Sequence, residues 1–197
     1  SSIEIDNNLW RDKSGNNNHS QNTTGTVTQA TWAGGNGGNN TSWKYIYGNT
    51  NAGVRLGYWP GGNDYTFFHL SRYNGGSRSR IWQGTSGNWL SGHWSSRRGV
   101  FYHEGWLNSG SQGSLDDWIQ CTDTRSLVRI NRGASQWTGG GNYSPSGVAI
   151  NNAGSGGCCN SSERSNWATA FVAVYDRALS SSEYQQIENY VYNTYQA

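Results

Sequence analysis

Glycine and asparagine punctuate this chain so densely that a long helix has little room to run. Clusters at residues 34–40, 61–64 and 139–142 set turn formers between short apolar segments. They supply the positive-φ positions that tight connections need. Gly, Ser and Asn together contribute 77 of the 197 residues, which excludes a coiled coil or a helical bundle. Ile, Leu, Val and Phe number only 28, a share that at high net charge would mean disorder. Net charge is only +2, however, and the chain carries 11 Trp and 12 Tyr. The expectation is a folded, loop-rich single domain over residues 1–197 whose apolar mass is aromatic rather than aliphatic.

The segments between the clusters read as strands at 43–47, 53–58, 65–72, 80–83, 99–103, 117–122, 126–131, 148–151 and 167–175. In the last of these Phe171 and Ala173 oppose Val172 and Val174, so both faces of the strand are expected to be covered. Many short strands at this spacing imply an antiparallel β-sandwich or jelly roll. One helix is predicted, at the C-terminus. Ser180-Ser181-Ser182-Glu183 is a capping box, Leu179 and Tyr184 stand at staple positions, and Tyr184, Ile187, Val191 and Tyr195 recur at helical spacing.

Several function classes fall away. Charged residues make up 13% of the chain and the basic ones are scattered, so no nucleic-acid partner is expected. There is no 18-residue apolar run, and no membrane insertion is expected. The chain opens Ser1-Ser2-Ile3 without Met, and N-x-Ser/Thr sequons occur at Asn18, Asn22, Asn39, Asn40, Asn142 and Asn160. These features point to a secreted protein. Cys121, Cys158 and Cys159 read either as buried thiols or as one disulfide from Cys121 to Cys158 or Cys159.

Two segments resemble a known family. Leu9-Trp10-Arg11-Asp12-Lys13-Ser14-Gly15-Asn16-Asn17-Asn18-His19 is similar to the opening turn of laminin G-like jelly-roll domains. The run from Trp167 through Tyr175-Asp176-Arg177, Leu179-Ser180 and Glu183 to Tyr195 resembles their last strand and closing helix. These domains belong to the concanavalin A-like lectin and glucanase superfamily. The resemblance implies two antiparallel sheets, one concave, with ligands on the concave face or at rim loops. It leaves function open, because the fold hosts lectins, adhesion modules, glycosidases and lyases.

The stretch from residue 88 to 106 is the richest in chemistry: two of the four His, three Trp, an Arg pair and a Glu. Sugar sites need this mixture, since a flat aromatic covers the apolar face of a pyranose while polar side chains fix its hydroxyls. Trp94 or Trp106 is expected to be the stacking platform. His93, His103, Arg97 and Arg98 are expected to donate to hydroxyls or anionic substituents, and Glu104 to accept. A second stretch adds Trp59, Asn63 and Asp64 as a rim loop. No cofactor is required. Asp116, Asp117 and Asp123 offer oxygen ligands of the kind Ca²⁺ takes, with turn capping the simpler reading, and residues 12–18 read as a plain turn.

Enzyme signatures are incomplete. Glu4-Ile5-Asp6 begins the paired-carboxylate strand of the superfamily's retaining glycosidases, but Leu9 stands where the last acid would be. His69, Arg80, Tyr102 and His103 are residue types that jelly-roll lyases use, without those enzymes' local motifs. The reading is therefore a carbohydrate-binding lectin. The alternatives are a lyase or glycosidase using Tyr102, His103 or Glu104, or an adhesion module. A single shallow sugar site binds weakly, so a homo-oligomer or a multivalent glycan partner is expected.

Overall fold

The computed structural model describes residues 4–6, 9–21, 23–62, 64–136, 141–151 and 161–197. In chain order its strands are β1 (Ile5–Asp6), β2 (Leu9–Trp10), β3 (Thr23–Thr24), β4 (Thr28–Trp32), β5 (Trp43–Gly48), β6 (Gly53–Arg55), β7 (Thr66–Tyr73), β8 (Trp82–Gly84), β9 (Trp89–Trp94), β10 (Arg97–His103), β11 (Trp106–Asn108), β12 (Ile119–Thr124), β13 (Val128–Ile130), β14 (Val148–Ile150) and β15 (Trp167–Tyr175). A single helix, α1 (Ser181–Tyr195), closes the chain.

Two large antiparallel sheets result, as the turn-punctuated pattern predicts, and β1 pairs with β2 apart from them. One runs β11-β10-β9-β8-β14-β6-β3 and the other β13-β12-β7-β15-β5-β4. The fold is an all-β, jelly-roll-like sandwich with a short C-terminal helix. β15 forms over the predicted span. Its Val172 and Val174 pack on the main core, while Phe171 packs on the cluster beneath α1. The six-stranded sheet is thus covered on both faces, as the apolar alternation requires.

Indoles replace aliphatic side chains between the sheets. Trp82, Trp89 and Trp167 are fully buried in the main core with Phe67, Tyr65, Tyr73, Val148 and Ile150. Each indole N–H finds an acceptor there: Trp82 on Ser71 Oγ (2.9 Å), Trp89 on Tyr65 Oη (3.1 Å), Trp167 on the Ala52 carbonyl (2.9 Å). Without those acceptors, burial would leave a stranded donor. Trp43 and Trp118 are buried on the opposite face, under α1, with Val191 and Tyr195.

The helix carries its predicted cap. The Glu183 carboxylate accepts from the Ser180 backbone N–H at 2.9 Å and is clasped by Arg177. Arg177, followed by the Ser180 hydrogen bonds, draws the Glu183 carboxyl down to about 2. The apolar stripe understates the packing, because Glu188 is buried as well. It receives Arg129 Nε and Nη2 at 2.9 and 3.0 Å and the Thr122 hydroxyl at 2.7 Å, and so ties α1 to β12 and β13. Glu188→Ala strands the partners of a nearly sealed ion pair. It is expected to lower stability by about 2–4 kcal/mol in urea unfolding. An unchanged midpoint would show that the pair adds nothing.

Of the two cysteine readings, Cys121 takes the buried thiol, and the disulfide through it is corrected. Cys121 lies on the inner face of β12 as a free, fully buried thiol, pushed well above its ordinary pKa by burial. It forms no disulfide, and Cys158 and Cys159 lie outside the described residues. No helix is long and apolar enough to cross a membrane among the described residues.

Candidate functional site

The β9–β10 hairpin sorts the aromatic-rich stretch into an inner and an outer set. Side chains alternate along β9, so Trp89, Ser91 and His93 enter the sandwich while Leu90 and Trp94 face outward. β10 pairs Arg97 with Trp94 and Arg98 with His93, then slips by one residue before Val100 pairs with Gly92. The extra residue is Gly99, at φ +73°. A Cβ there would lie 2.8 Å from Gln112 and Ile130 carbons, so glycine is needed at this bulge. The slip keeps Arg98, Phe101 and His103 on the inner face and Arg97, Val100 and Tyr102 on the outer one.

Burial therefore removes three expected ligand contacts. His93 and His103 have no exposure and Arg98 has 5%. Arg98 is spent on the carbonyls of Gln112, Asp117 and Trp118. His103 stacks on Trp89 at 5.3 Å and pairs with Asp123 at 3.2 Å, and Asp123 also accepts from Tyr65 Oη at 3.3 Å. Sealed between the sheets, this His–Asp pair cannot reach a polysaccharide. Glu104 is exposed at the β10–β11 turn, where its Oε1 accepts from the Asn88 backbone N–H at 2.5 Å. Trp59 packs on Tyr65, Phe67 and Trp89 as part of the core wall. Asp64 is exposed on its loop, and Asn63 lies outside the described residues.

The outer face keeps Trp94, Arg97 and Trp106 together. The two indoles stand 5.3 Å apart at 55°, and Tyr102 meets Trp106 edge-on at 5.1 Å. The Arg97 guanidinium lies 4.6 Å from the Trp94 ring and 5.4 Å from the Trp106 ring, with Nη1 on the Ser109 carbonyl at 3.0 Å. Among the described residues five tryptophans are half-buried: Trp10, Trp32, Trp59, Trp94 and Trp106. The first three pack against core clusters; Trp94 and Trp106 belong to none. At the turn that directly follows Trp94 opens a hollow of about 520 Å³, whose lining includes Arg78, Arg164, Ser77, Ser79, Ser95 and Ser96. Sequence reading missed both arginines, which lie far from the hairpin in the chain and reach it only through the fold.

A second concavity of about 590 Å³ lies between the Asp12 turn and β15, and includes Trp10, Tyr58, Asn16, Asn18 and Tyr175 in its walls. The turn itself is internally satisfied. Asp12 accepts from Ser14 N (2.8 Å), Ser14 Oγ (2.9 Å) and Asn18 N (2.8 Å). Burial by itself would raise the Asp12 pKa, but those hydrogen bonds outweigh it and hold the carboxyl below its usual value. Asp116, Asp117 and Asp123 do not converge on a cation position. Asp116 is held by Arg78 at 2.8 Å, while Asp123 points between the sheets to His103.

No family model and no curated protein matches the sequence. Among solved structures, the fold is similar to the receptor-binding domain of botulinum neurotoxin C/D mosaic serotype, with a TM-score of 0.52 and 11% identity over 95% of this chain and 50% of that one. It is also similar to the botulinum neurotoxin serotype G binding domain, with a TM-score of 0.52 and 10% identity over 98% of this chain and 51% of that one. This chain spans about half the length of either. At such identity the likeness is one of fold, and that fold is the two-sheet β-sandwich described above.

Proposed function

We propose that the protein is a carbohydrate-binding module whose sugar stacks on Trp94 and Trp106 at the β9–β10 hairpin. The supporting observation is that these two indoles alone, among the half-buried tryptophans described, are not absorbed by a core cluster, and that a polar hollow opens at the hairpin turn directly after Trp94. A pyranose presents an apolar C–H face and a ring of hydroxyls, which this pairing matches. The likeness to neurotoxin receptor-binding domains fits a recognition role for either a sugar or a protein receptor. A compact aromatic pair with a polar rim suits a sugar better than the broad apolar patch a protein partner would call for.

The test is a glycan array with the purified protein, followed by titration of the best ligand against Trp fluorescence. Trp94→Ala is expected to weaken binding at least about tenfold, the order of one lost stacking contact. Tyr58→Ala, in the other concavity, is expected to leave binding unchanged. No glycan bound above background would end the proposal. Loss in Tyr58→Ala with binding kept in Trp94→Ala would move the site to the cleft beside β15.

A further inference from the structure

We infer that the hollow beside the hairpin is an oxyanion subsite, taking a sulfate or phosphate ester carried by the sugar that lies on Trp94 and Trp106. The inference rests on the reading of that aromatic pair as a sugar surface and adds the class of substituent. The walls carry two guanidiniums and several hydroxyls, and no carboxylate lines them among the described residues. Such a set donates hydrogen bonds in excess, which is what a tetrahedral oxyanion with many acceptor lone pairs needs.

The two arginines are placed differently. Arg78 is held by Asp116 through two contacts of 2.8 and 3.0 Å and by the Gly75 carbonyl at 3.3 Å, so it is oriented and partly neutralised. Arg164 has a buried Nε that donates to no acceptor among the described residues. A buried guanidinium N–H without an acceptor costs free energy unless something else accepts from it. Arg164 therefore supplies the charge that a ligand would satisfy.

The hollow is also built in advance. Four chain segments line it, at residues 50, 77–79, 95–96 and 162–164, and hydrogen bonds from backbone N–H groups pin the last three together. Ser96 N–H donates to the Arg78 carbonyl at 2.7 Å, Ser79 N–H to Ser165 Oγ at 2.7 Å, and Asn166 N–H to the Ser77 carbonyl at 2.9 Å. Ser95 and Ser96 occupy left-handed conformations at φ 50° and 56°, the turn geometry that matches the twist of a tight hairpin. A site held this way loses little ordering entropy on binding. Ser95 and Ser96 line the hollow and directly follow Trp94 in the chain, so we place the ester group at the hairpin turn and the pyranose on the neighbouring indole.

The experiment has two independent arms. In the first, sulfate or inorganic phosphate replaces chloride at constant ionic strength, and the melting temperature is followed. A rise in the wild type that is absent in Arg164→Ala and in Ser77→Glu is expected. Ser77 is exposed, so Ser77→Glu places a repelling carboxylate in the hollow without disturbing the core, should Arg164→Ala fail to fold. In the second arm, a sulfated galactan oligosaccharide and its desulfated form are titrated. The sulfated form is expected to bind about tenfold tighter, with the advantage lost in both variants. The larger response of sulfate or phosphate identifies which ester the subsite prefers. No anion response and no sulfated preference, or responses equal in wild type and variants, would overturn the subsite. Tight binding of the neutral form with no sulfate effect refutes the hollow and keeps the aromatic platform. An anion response in the wild type, lost in the variants, with neither sugar bound keeps the hollow and refutes the platform.

Discussion

Trp89→Ala is expected to cost about 3–5 kcal/mol of folding stability, while Trp94→Ala costs about 1 kcal/mol or less. The two residues are five positions apart on one strand and chemically identical. Trp89 has no exposure, donates to Tyr65 Oη and stacks on His103, so its removal leaves a cavity between the sheets and strands the tyrosine beside Asp123. Trp94 touches Trp106 and Arg97 on a half-open face, where water fills the space it vacates. Urea unfolding of the two variants against wild type measures the difference. Equal losses would mean that Trp94 is a structural residue, and the platform reading would fall with it.

Acid is expected to weaken the fold well above the range in which surface carboxylates titrate. His69 is fully buried between the sheets, with Nδ1 and Nε2 at 3.2 and 3.3 Å from Ser71 and Ser91 hydroxyls. Desolvation lowers its pKa from 6.5 to about 3. His93 is driven down by the same desolvation, then by His69 and Arg98, and its ring nitrogens have no partner among the described residues. Between the two pKa values the unfolded chain binds a proton that the native state refuses. The contribution of His69 is therefore fully present above pH 6.5 and is lost progressively as pH falls toward about 3. The slope is about 1.4 kcal/mol per pH unit for one such group, or roughly 2–3 kcal/mol by about pH 4.5, with His93 acting in the same direction. Unfolding free energy measured from pH 7.5 to 4 checks this. In His69→Asn the curve should shift down at neutral pH but run flatter, which a merely destabilised variant would not do. A wild-type curve that is level down to pH 4.5 would contradict buried, neutral histidines.

How far the chain's letters foretold these sites depends on the range of the interaction involved. β15 and α1 were legible because their signals are local: alternating apolar residues, then a serine-glutamate cap and a stripe at helical spacing. The strands at 89–94 and 106–108 were not read as strands. Their Trp, His and Arg content points to binding chemistry rather than to a strand, and β9 carries a glycine in its middle. Gly92, at φ +87°, instead lets His69 approach closely, since a Cβ there would lie 2.6 Å from the imidazole Cε1. Arg97 and Arg98 looked like one cationic pair, yet neighbours in a strand point to opposite faces, and one is outside while the other is sealed. Glu188 sat in the helix as an ordinary polar residue until Arg129 and Thr122 met it across the sheet.

The class of fold was written in the linear order of turn formers and short aromatic runs, because backbone preference and side-chain alternation act between neighbours a few positions apart. The division of the indoles into core and surface was not. It follows from the register of β9 against β10 and from the single inserted residue at Gly99, and a one-residue slip moves every later side chain to the other face. Register is settled by contacts between segments distant in the chain. For the same reason the arginine-lined hollow, drawn from residues near 78, 96 and 164, came into view only once the sheets were assembled.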